Sequence, residues 1–275
     1  MTAFGLPHRH FRVTDSTNAR ARELAEAGAP GGTLVTADEQ SAGRGRQGRT
    51  WAAPPGKALL YSAVLRPLDE RHLLLPLAVP VAVCEAAEDL RPDIECQIKW
   101  PNDIWLSERK LGGVLIEAKP QDGWAVIGVG LNLSIAPDEF PDDLRWPAVS
   151  ILAALEGGRE SSRRCLAKRP RQGDSSREAA PDFTAEGGDR HLTRRLPTPR
   201  RATASLSQHL TRWVDAPRDE VLAAWRSRDA LLGREVSWAD GAGTADGIDD
   251  SGDLLVAVAG GDRVALGAGE VSLSL

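Results

Sequence analysis

Cysteine is scarce in this chain: Cys84, Cys96 and Cys165 make an odd set in 275 residues, with no metal-ligand spacing. That excludes a disulfide-built scaffold and points to a reducing, cytoplasmic compartment. Long apolar runs are missing too. The longest, around residues 73–87, carries Pro76, Pro80 and Glu85. It falls short of the ~20 apolar residues that span a bilayer, so it predicts a buried helix, irregular near its prolines. The N-terminal MTAFGLPHRHFR has no secretory apolar segment, and no membrane contact is expected. Net positive charge is also absent: a formal charge of -5 and a pI near 5.6 argue against bulk nucleic-acid binding but leave room for a local cationic site. No basic recognition-helix pattern stands before residue 12, so no N-terminal DNA-binding module and no DNA partner are expected. Lysine is rare, five against twenty-nine arginines. In so arginine-biased a chain Lys99 and Lys110 are either ordinary surface residues or compact point charges wanted at a site.

The densest signal is Gly43 to Trp51, GRGRQGRTW, where glycine alternates with arginine. Glycine weakens helix and strand alike, and the arginines have nothing apolar to pack. The stretch therefore predicts a cationic loop, either a solvated basic turn or a site for a phosphate or carboxylate. Before it, a short strand at residues 11–13 leads to Asp15-Ser16-Thr17-Asn18 and a helix over 17–27 ended by Gly28. Ser16, Thr17 and Asn18 are either plain N-cap residues or polar groups offered to a ligand at a helix start. Strands are predicted at 32–38 and 58–65, so the loop joins two strands of a rigid sheet.

A second dense region runs from Ile94 through KWPND at 99–103, KLGGVLIE at 110–117 and GVGLN at 128–132. Its strand, turn, strand pattern predicts an antiparallel meander covered by helices, an α+β fold. Gly112, Gly113, Gly128 and Gly130 are costly inside strands, a cost accepted where backbone must approach a ligand. Residues 137–154 read as a loop and short helix, with 141–146 an ordinary surface connection. Residues 157–205 hold few large apolar residues and no period, which predicts disorder. Helical spacing returns over 206–230, and five short strands in 231–275 predict a small closed or partly closed barrel. The implied organisation is a main core over 1–156, an irregular segment at 157–205, a helical remainder at 206–230 and a C-terminal unit at 231–275.

Taken together, DSTN at 15–18, Glu39-Gln40 with the GRGRQGRTW loop, KWPND, KLGGVLIE and GVGLN resemble the catalytic core of biotin protein ligases. GREVSW at 233–238, GTADGIDDSGDLLV at 243–256 and GAGEVSL at 267–273 resemble the small SH3-like domain of that family. The resemblance covers 11–155 and 206–275, and implies a class II synthetase-like core with a largely antiparallel mixed sheet. It implies ATP and biotin as substrates with Mg2+ assisting, biotinyl-5'-adenylate and pyrophosphate as first products, and transfer to a lysine of the biotin carboxyl carrier protein of acetyl-CoA carboxylase. Ser16, Thr17, Asn18 and Gln40 would lie at the biotin end. Gly43, Arg44, Gly45 and Arg46 would belong to a closing loop, with Arg44, Arg46 and Lys110 acting on the reacting charges. Trp51, Lys99, Asn102, Gly112, Gly113 and Asn132 would line the nucleotide side, with Asp103 in the same turn and the metal ligands unassigned. Trp51 is equally readable as a core residue. A lipoate or other acyl-carrier ligase, or a biotin-binding protein with impaired catalysis, stays open as an alternative. So does a homodimer, which the sequence allows without requiring. Residues 157–205 do not resemble the family's helical segment, and read as a natural disordered insertion or a disturbance of the coding frame.

Overall fold

In the computed structural model, which describes residues 2–154, 197–267 and 272–273, a seven-stranded sheet carries the main core. Its strands are β1 (His8–Thr14), β2 (Leu34–Gln40), β3 (Ala58–Leu65), β4 (Gln97–Lys99), β5 (Asp103–Leu106), β6 (Arg109–Lys119) and β7 (Trp124–Asn132). They lie in the order β1-β2-β3-β7-β6-β5-β4. Only β1 and β2 pair in parallel; every other neighbour is antiparallel, so the predicted meander is present and the sheet is mixed. The β5–β6 hairpin turns on Ser107 and Glu108, both at positive φ (49° and 60°), as a tight two-residue connection demands.

Every residue of β3 is buried, because its two faces serve two layers. Leu59, Tyr61, Ala63 and Leu65 join the large core with helix α2 (Leu75–Leu90) and helix α3 (Pro199–Trp213). Val64 joins a smaller cluster with Val35, Val126 and Ala21 and Ala25 of helix α1 (Thr17–Glu26). That second face also carries a polar row, Ser62 among it, and this row positions the site. Pro76 falls in the first turn of α2, where a missing N–H costs nothing, and Pro80 lies inside it.

Two expectations need correction. The irregular segment assigned to 157–205 lies outside the described residues up to residue 196, but from Pro199 the chain is helical. Thr198 caps α3 by accepting from the Arg201 N–H, Pro199 opens it, and Ala202, Leu206, Leu210 and Trp213 form its buried seam. The apolar spacing thus begins one turn earlier than composition suggested. The connection at 137–154, read as a loop and short helix, keeps 141–145 exposed as expected of a surface stretch, but beyond it returns to the sheet: Lys110 N–H donates to Pro147 O and Val149 N–H to Lys110 O.

After helix α4 (Arg218–Arg226), strands β8 (Glu235–Trp238), β9 (Gly241–Ile248), β10 (Leu254–Ala257), β11 (Arg263–Leu266) and β12 (Ser272–Leu273) form an antiparallel sheet in the order β11-β10-β9-β8-β12. Glu270 and Val271, expected at the start of the last strand, lie outside the described residues. Among the described residues no helix is long and apolar enough to cross a membrane.

Candidate ligand-binding cleft

The bed of the cleft follows from strand register. Gly113 of β6 faces Gly130 of β7, which faces Leu60 of β3; in the next row Leu115, Gly128 and Ser62 align. Side chains on these glycines would collide with what rests on the sheet. A Cβ on Gly128 would stand 2.0 Å from Asn18 Oδ1, and one on Gly130 would stand 2.4 Å from the Trp51 ring. Of the four glycines expected to let backbone approach a ligand, Gly128 and Gly130 admit Asn18 and Trp51 of the chain itself, Gly112 meets the Gly130 carbonyl, and a Cβ on Gly113 would meet nothing nearer than 3.6 Å.

At one end α1 brings Ser16, Thr17 and Asn18, all buried, onto this bed. Thr17 donates its N–H and its hydroxyl to Gln40 Oε1 at 2.7 and 3.0 Å. The buried Ser62 hydroxyl donates to Asn18 Oδ1 at 2.6 Å and lies 2.8 Å from Thr17 Oγ1. Asn18 Nδ2 donates to Glu117 Oε2 at 2.8 Å. Ser16 makes no side-chain cap bond to α1, so the cluster is more than an N-cap.

Residues 43–51 fold over the bed as a small hairpin: Trp51 N–H donates to Gly43 O, Gly45 N–H to Arg49 O, and Arg44 bridges to Thr50. Gln47, at φ 54°, sits at its turn. Burial lowers the pKa of the Arg46 guanidinium, partly offset by Asp103. Trp51 is half-buried, and its indole N–H is buried without a hydrogen-bond partner. Lys110 Nζ lies 5.9 Å from the Trp51 ring centre and 2.7 Å from Asp103 Oδ1. Beyond it, Lys99 Nζ stands 4.1 Å from the Trp146 ring centre and 5.4 Å from that of Trp105. Burial pushes Lys99 down to about 8, helped by neighbouring Arg145, Lys110 and Arg49, against the opposing pull of Asp103.

The cleft encloses about 980 Å³ including its open mouth. Ser16, Thr17, Asn18, Gln40, Arg44, Gly45, Arg46, Trp51, Lys99, Asn102, Lys110 and Gly113 all line it, as anticipated. Gly43, Gly112 and Asn132 do not. Gly43 faces the Trp51 carbonyl within the hairpin, and Gly112 faces the Gly130 carbonyl and Leu131. The buried Asn132 amide donates to Val149 O at 3.0 Å, pinning the returning 147–151 connection instead of forming a nucleotide wall. Asn102 lines the cleft while its amide donates to Val114 O at 2.8 Å. Arg49 lines the cleft as part of the cationic loop, whereas Arg145, Trp146 and Tyr61 were not anticipated. Arg145 and Trp146 reach the cleft only through the sheet contact at Lys110 and Ala148, a non-local pairing that no local pattern announces.

Among the described residues six cations line the cleft, Arg44, Arg46, Arg49, Lys99, Lys110 and Arg145, against one carboxylate, Asp103. Such a surplus over a glycine-floored sheet suits a ligand carrying several negative charges. Fold and site together define an α+β protein with a loop-covered, cation-lined cleft. The chain matches the Biotin/lipoate A/B protein ligase family over residues 10–133. It is 32% identical to the biotin--[acetyl-CoA-carboxylase] ligase of Mycobacterium tuberculosis over 270 residues, covering 94% of this chain and 85% of that one. The bifunctional ligase/repressor BirA of Bacillus subtilis is 40% identical over 148 residues, a match spanning 52% of this chain and 45% of that protein. Among solved structures, the biotin protein ligase from Aquifex aeolicus in complex with biotin and ATP superposes with a TM-score of 0.69 at 26% identity, covering 98% of this chain and 99% of that one. The chain belongs to the biotin protein ligase family.

Proposed function

We propose that the chain is an ATP-dependent biotin protein ligase. Biotin's carboxylate attacks the α-phosphorus of ATP, the bond to the leaving phosphate breaks, and biotinyl-5'-adenylate and pyrophosphate result. A lysine amine of the biotin carboxyl carrier protein of acetyl-CoA carboxylase then attacks the acyl carbon, and AMP leaves. The observation that carries this reading is the charge of the cleft: two mutually repelling anions can meet only where fixed cations outnumber acids, as six do against one here. The small polar end at Ser16, Thr17 and Gln40 suits the ureido ring. Lys110, beside Asp103 at the sheet, would meet the carboxylate and the reacting phosphate. Arg44 and Arg46 would close over both and keep water from the anhydride. Trp51 and Trp146 offer aromatic faces for a purine. The Mycobacterium relative at 32% identity and the Aquifex structure holding biotin and ATP support the same reading.

No cluster of three or more His, Cys, Asp or Glu that could hold a metal stands among the described residues, and Asp103, the carboxylate of the cleft lining, is paired through Oδ1 with Lys110 at 2.7 Å; the lining therefore fits only an Mg2+ carried mainly by substrate phosphates, with the second Asp103 oxygen as its one protein carboxylate contact. Asp103 would hold it there together with the phosphates, and the ion would supply charge neutralisation. The same reading takes residues 1–156 and, with the corrected helix start, 199–230 as the catalytic core, in a class II synthetase-like arrangement. It takes 231–275 as an SH3-like domain and the compartment as cytoplasmic. A homodimer through the open β1 edge is compatible with it.

Incubation with labelled biotin, ATP, Mg2+ and apo carrier protein is expected to label one carrier lysine. Lys110→Ala should cut pyrophosphate release by about 10²-fold or more, the scale for losing a group aimed at developing charge. Lipoyl transfer without biotinyl transfer would replace the substrate, and an unchanged rate in the variant would remove Lys110 from the chemistry.

A further inference from the structure

We infer that Glu117 is a positioning residue that ties the glycine-arginine loop to the floor of the cleft's polar end. Its two carboxylate oxygens are divided between the two parts. Oε1 holds an Arg44 guanidinium nitrogen at 3.1 Å, and Oε2 accepts from Asn18 Nδ2 at 2.8 Å. Glu117 aligns in register with Val126 and, one strand further, Val64, a row otherwise apolar and packed under α1. The Glu117 side chain keeps 23% of its surface exposed there, and both of its oxygens are paired, which offsets the solvation it does lose. Asn18 is likewise consumed inside the protein: Oδ1 accepts from Ser62, and Nδ2 donates to Glu117 and, at 3.4 Å, to Leu115 O. Asn18 is therefore a strut, and the path Arg44–Glu117–Asn18–Ser62 joins the roof of the cleft to its floor, with the Thr17–Gln40 pair packed beside Ser62.

The two halves of this joint can be separated by chemistry. Glu117→Gln keeps a carbonyl oxygen for Asn18 but loses the charge that holds Arg44; Glu117→Ala loses both. In the ligand-free protein, amide hydrogen exchange across 43–51 is expected to rise about fivefold in both variants, the scale of a partly exposed ion pair. Exchange at Thr17 and Asn18 should rise only in Glu117→Ala. Arg44→Gln should reproduce the loop effect of Glu117→Gln, and the double variant should add nothing to it. This arm needs no substrate and stands whether or not the proposed activity does.

The kinetic arm rests on the ligase reading. Glu117→Gln should leave the KM for biotin within about twofold of wild type and speed adenylate release about fivefold. Glu117→Ala should also raise that KM about tenfold through the lost hydrogen bond, with kcat for pyrophosphate release moving less. Recovery of KM by glutamine but not alanine is a pattern that general destabilisation would not produce. Unchanged exchange in the loop of Glu117→Gln would overturn the inference. So would slower adenylate release in that variant, which would make Glu117 a competitor for Arg44, or equal KM values for the two variants. A wild-type enzyme that makes no biotinyl adenylate would sink the ligase reading alone, with loop exchange still deciding Glu117.

Discussion

At Lys99 the ammonium group is crowded by Trp105 and Trp146 and by the charges of Arg145 and Lys110, and its pKa falls from an ordinary 10.5 to about 8. Between those values the unfolded chain carries a proton that the folded chain has lost, so stability rises with pH across this window. Below pH 8 both states are protonated and the full cost stands, on the order of 3 kcal/mol. A group retained at such a cost suits a ligand that repays it, and phosphate is the obvious candidate in a cleft of this charge. Lys99→Met is accordingly expected to stabilise the ligand-free protein at pH 7 by about 1–3 kcal/mol. That gain should shrink between pH 8 and 10.5, while adenylate formation weakens at every pH. Urea unfolding of both proteins at pH 7 and pH 10 checks this; a destabilised variant at pH 7 would show that Lys99 is structurally useful as it stands. Asn132 gives the opposite lesson, since a polar side chain beside a ligand motif here satisfies two backbone carbonyls and reaches no cleft.

Contacts between elements decide how the loop and α1 meet the sheet, and Gly128 is the tightest of them. A Cβ there would lie 2.0 Å from Asn18 Oδ1 and 2.7 Å from its Cγ, and Asn18 is buried and bonded at both ends of its amide. Gly128→Ala should therefore displace the first turn of α1 and cost about 1–3 kcal/mol. Adding Asn18→Ala should recover part of that stability without recovering biotin affinity, as calorimetry on the single and double variants would reveal. An alanine variant as stable as wild type would mean that α1 can shift freely. The GVG motif at 128–130 announced a close approach, but the sequence could not say that the approaching groups would be Asn18 and Trp51. Strand legibility followed the same division. β3 was predicted at its observed ends, Ala58–Leu65, because its apolar run sets them. β1 extends to His8–Thr14 although its exposed residues show no alternation, because pairing with β2 holds it. The first turn of α3 was hidden because Pro199, Arg200 and Arg201 continue a polar composition, and only the Thr198 cap and the buried Ala202 mark the start. Trp146 was missed for a stronger reason: nothing within several residues of it refers to Lys99, and the contact exists only once the connection returns to β6.

Across the whole molecule, the C-terminal sheet is anchored where the cleft is built. Trp100, the second residue of the KWPND turn, is 3% exposed and donates its indole N–H to Gly252 O at 3.0 Å. Gly252, at φ 90°, rests against Leu77 of α2. Around this point Arg226 donates to Ile248 O and pairs with Asp250 at 2.9 Å, while Arg234 pairs with Glu108 of the β5–β6 turn. The linking chain also extends the main sheet, since Ile98 N–H donates to Arg228 O and Ala230 N–H to Ile98 O. Arg228 in turn grips Glu88 of α2 through both carboxylate oxygens, which raises the guanidinium's affinity for its proton. The surface pairs add little singly, so the buried indole bond is the contact that fixes the 249–253 turn against the wall of the cleft. Trp100→Phe keeps an aromatic ring there and removes only the donor. It should lower stability by about 1 kcal/mol, a fall in Tm of about 2–4 °C for a chain of this size. The expected accompanying signs are faster amide exchange at 249–253 and a lower rate of adenylate formation, because Lys99 and Asn102 flank the loosened turn. If exchange at 249–253 stays at the wild-type rate, the polar contacts at Arg226 and Arg234 hold the C-terminal sheet, and the cleft is insulated from it.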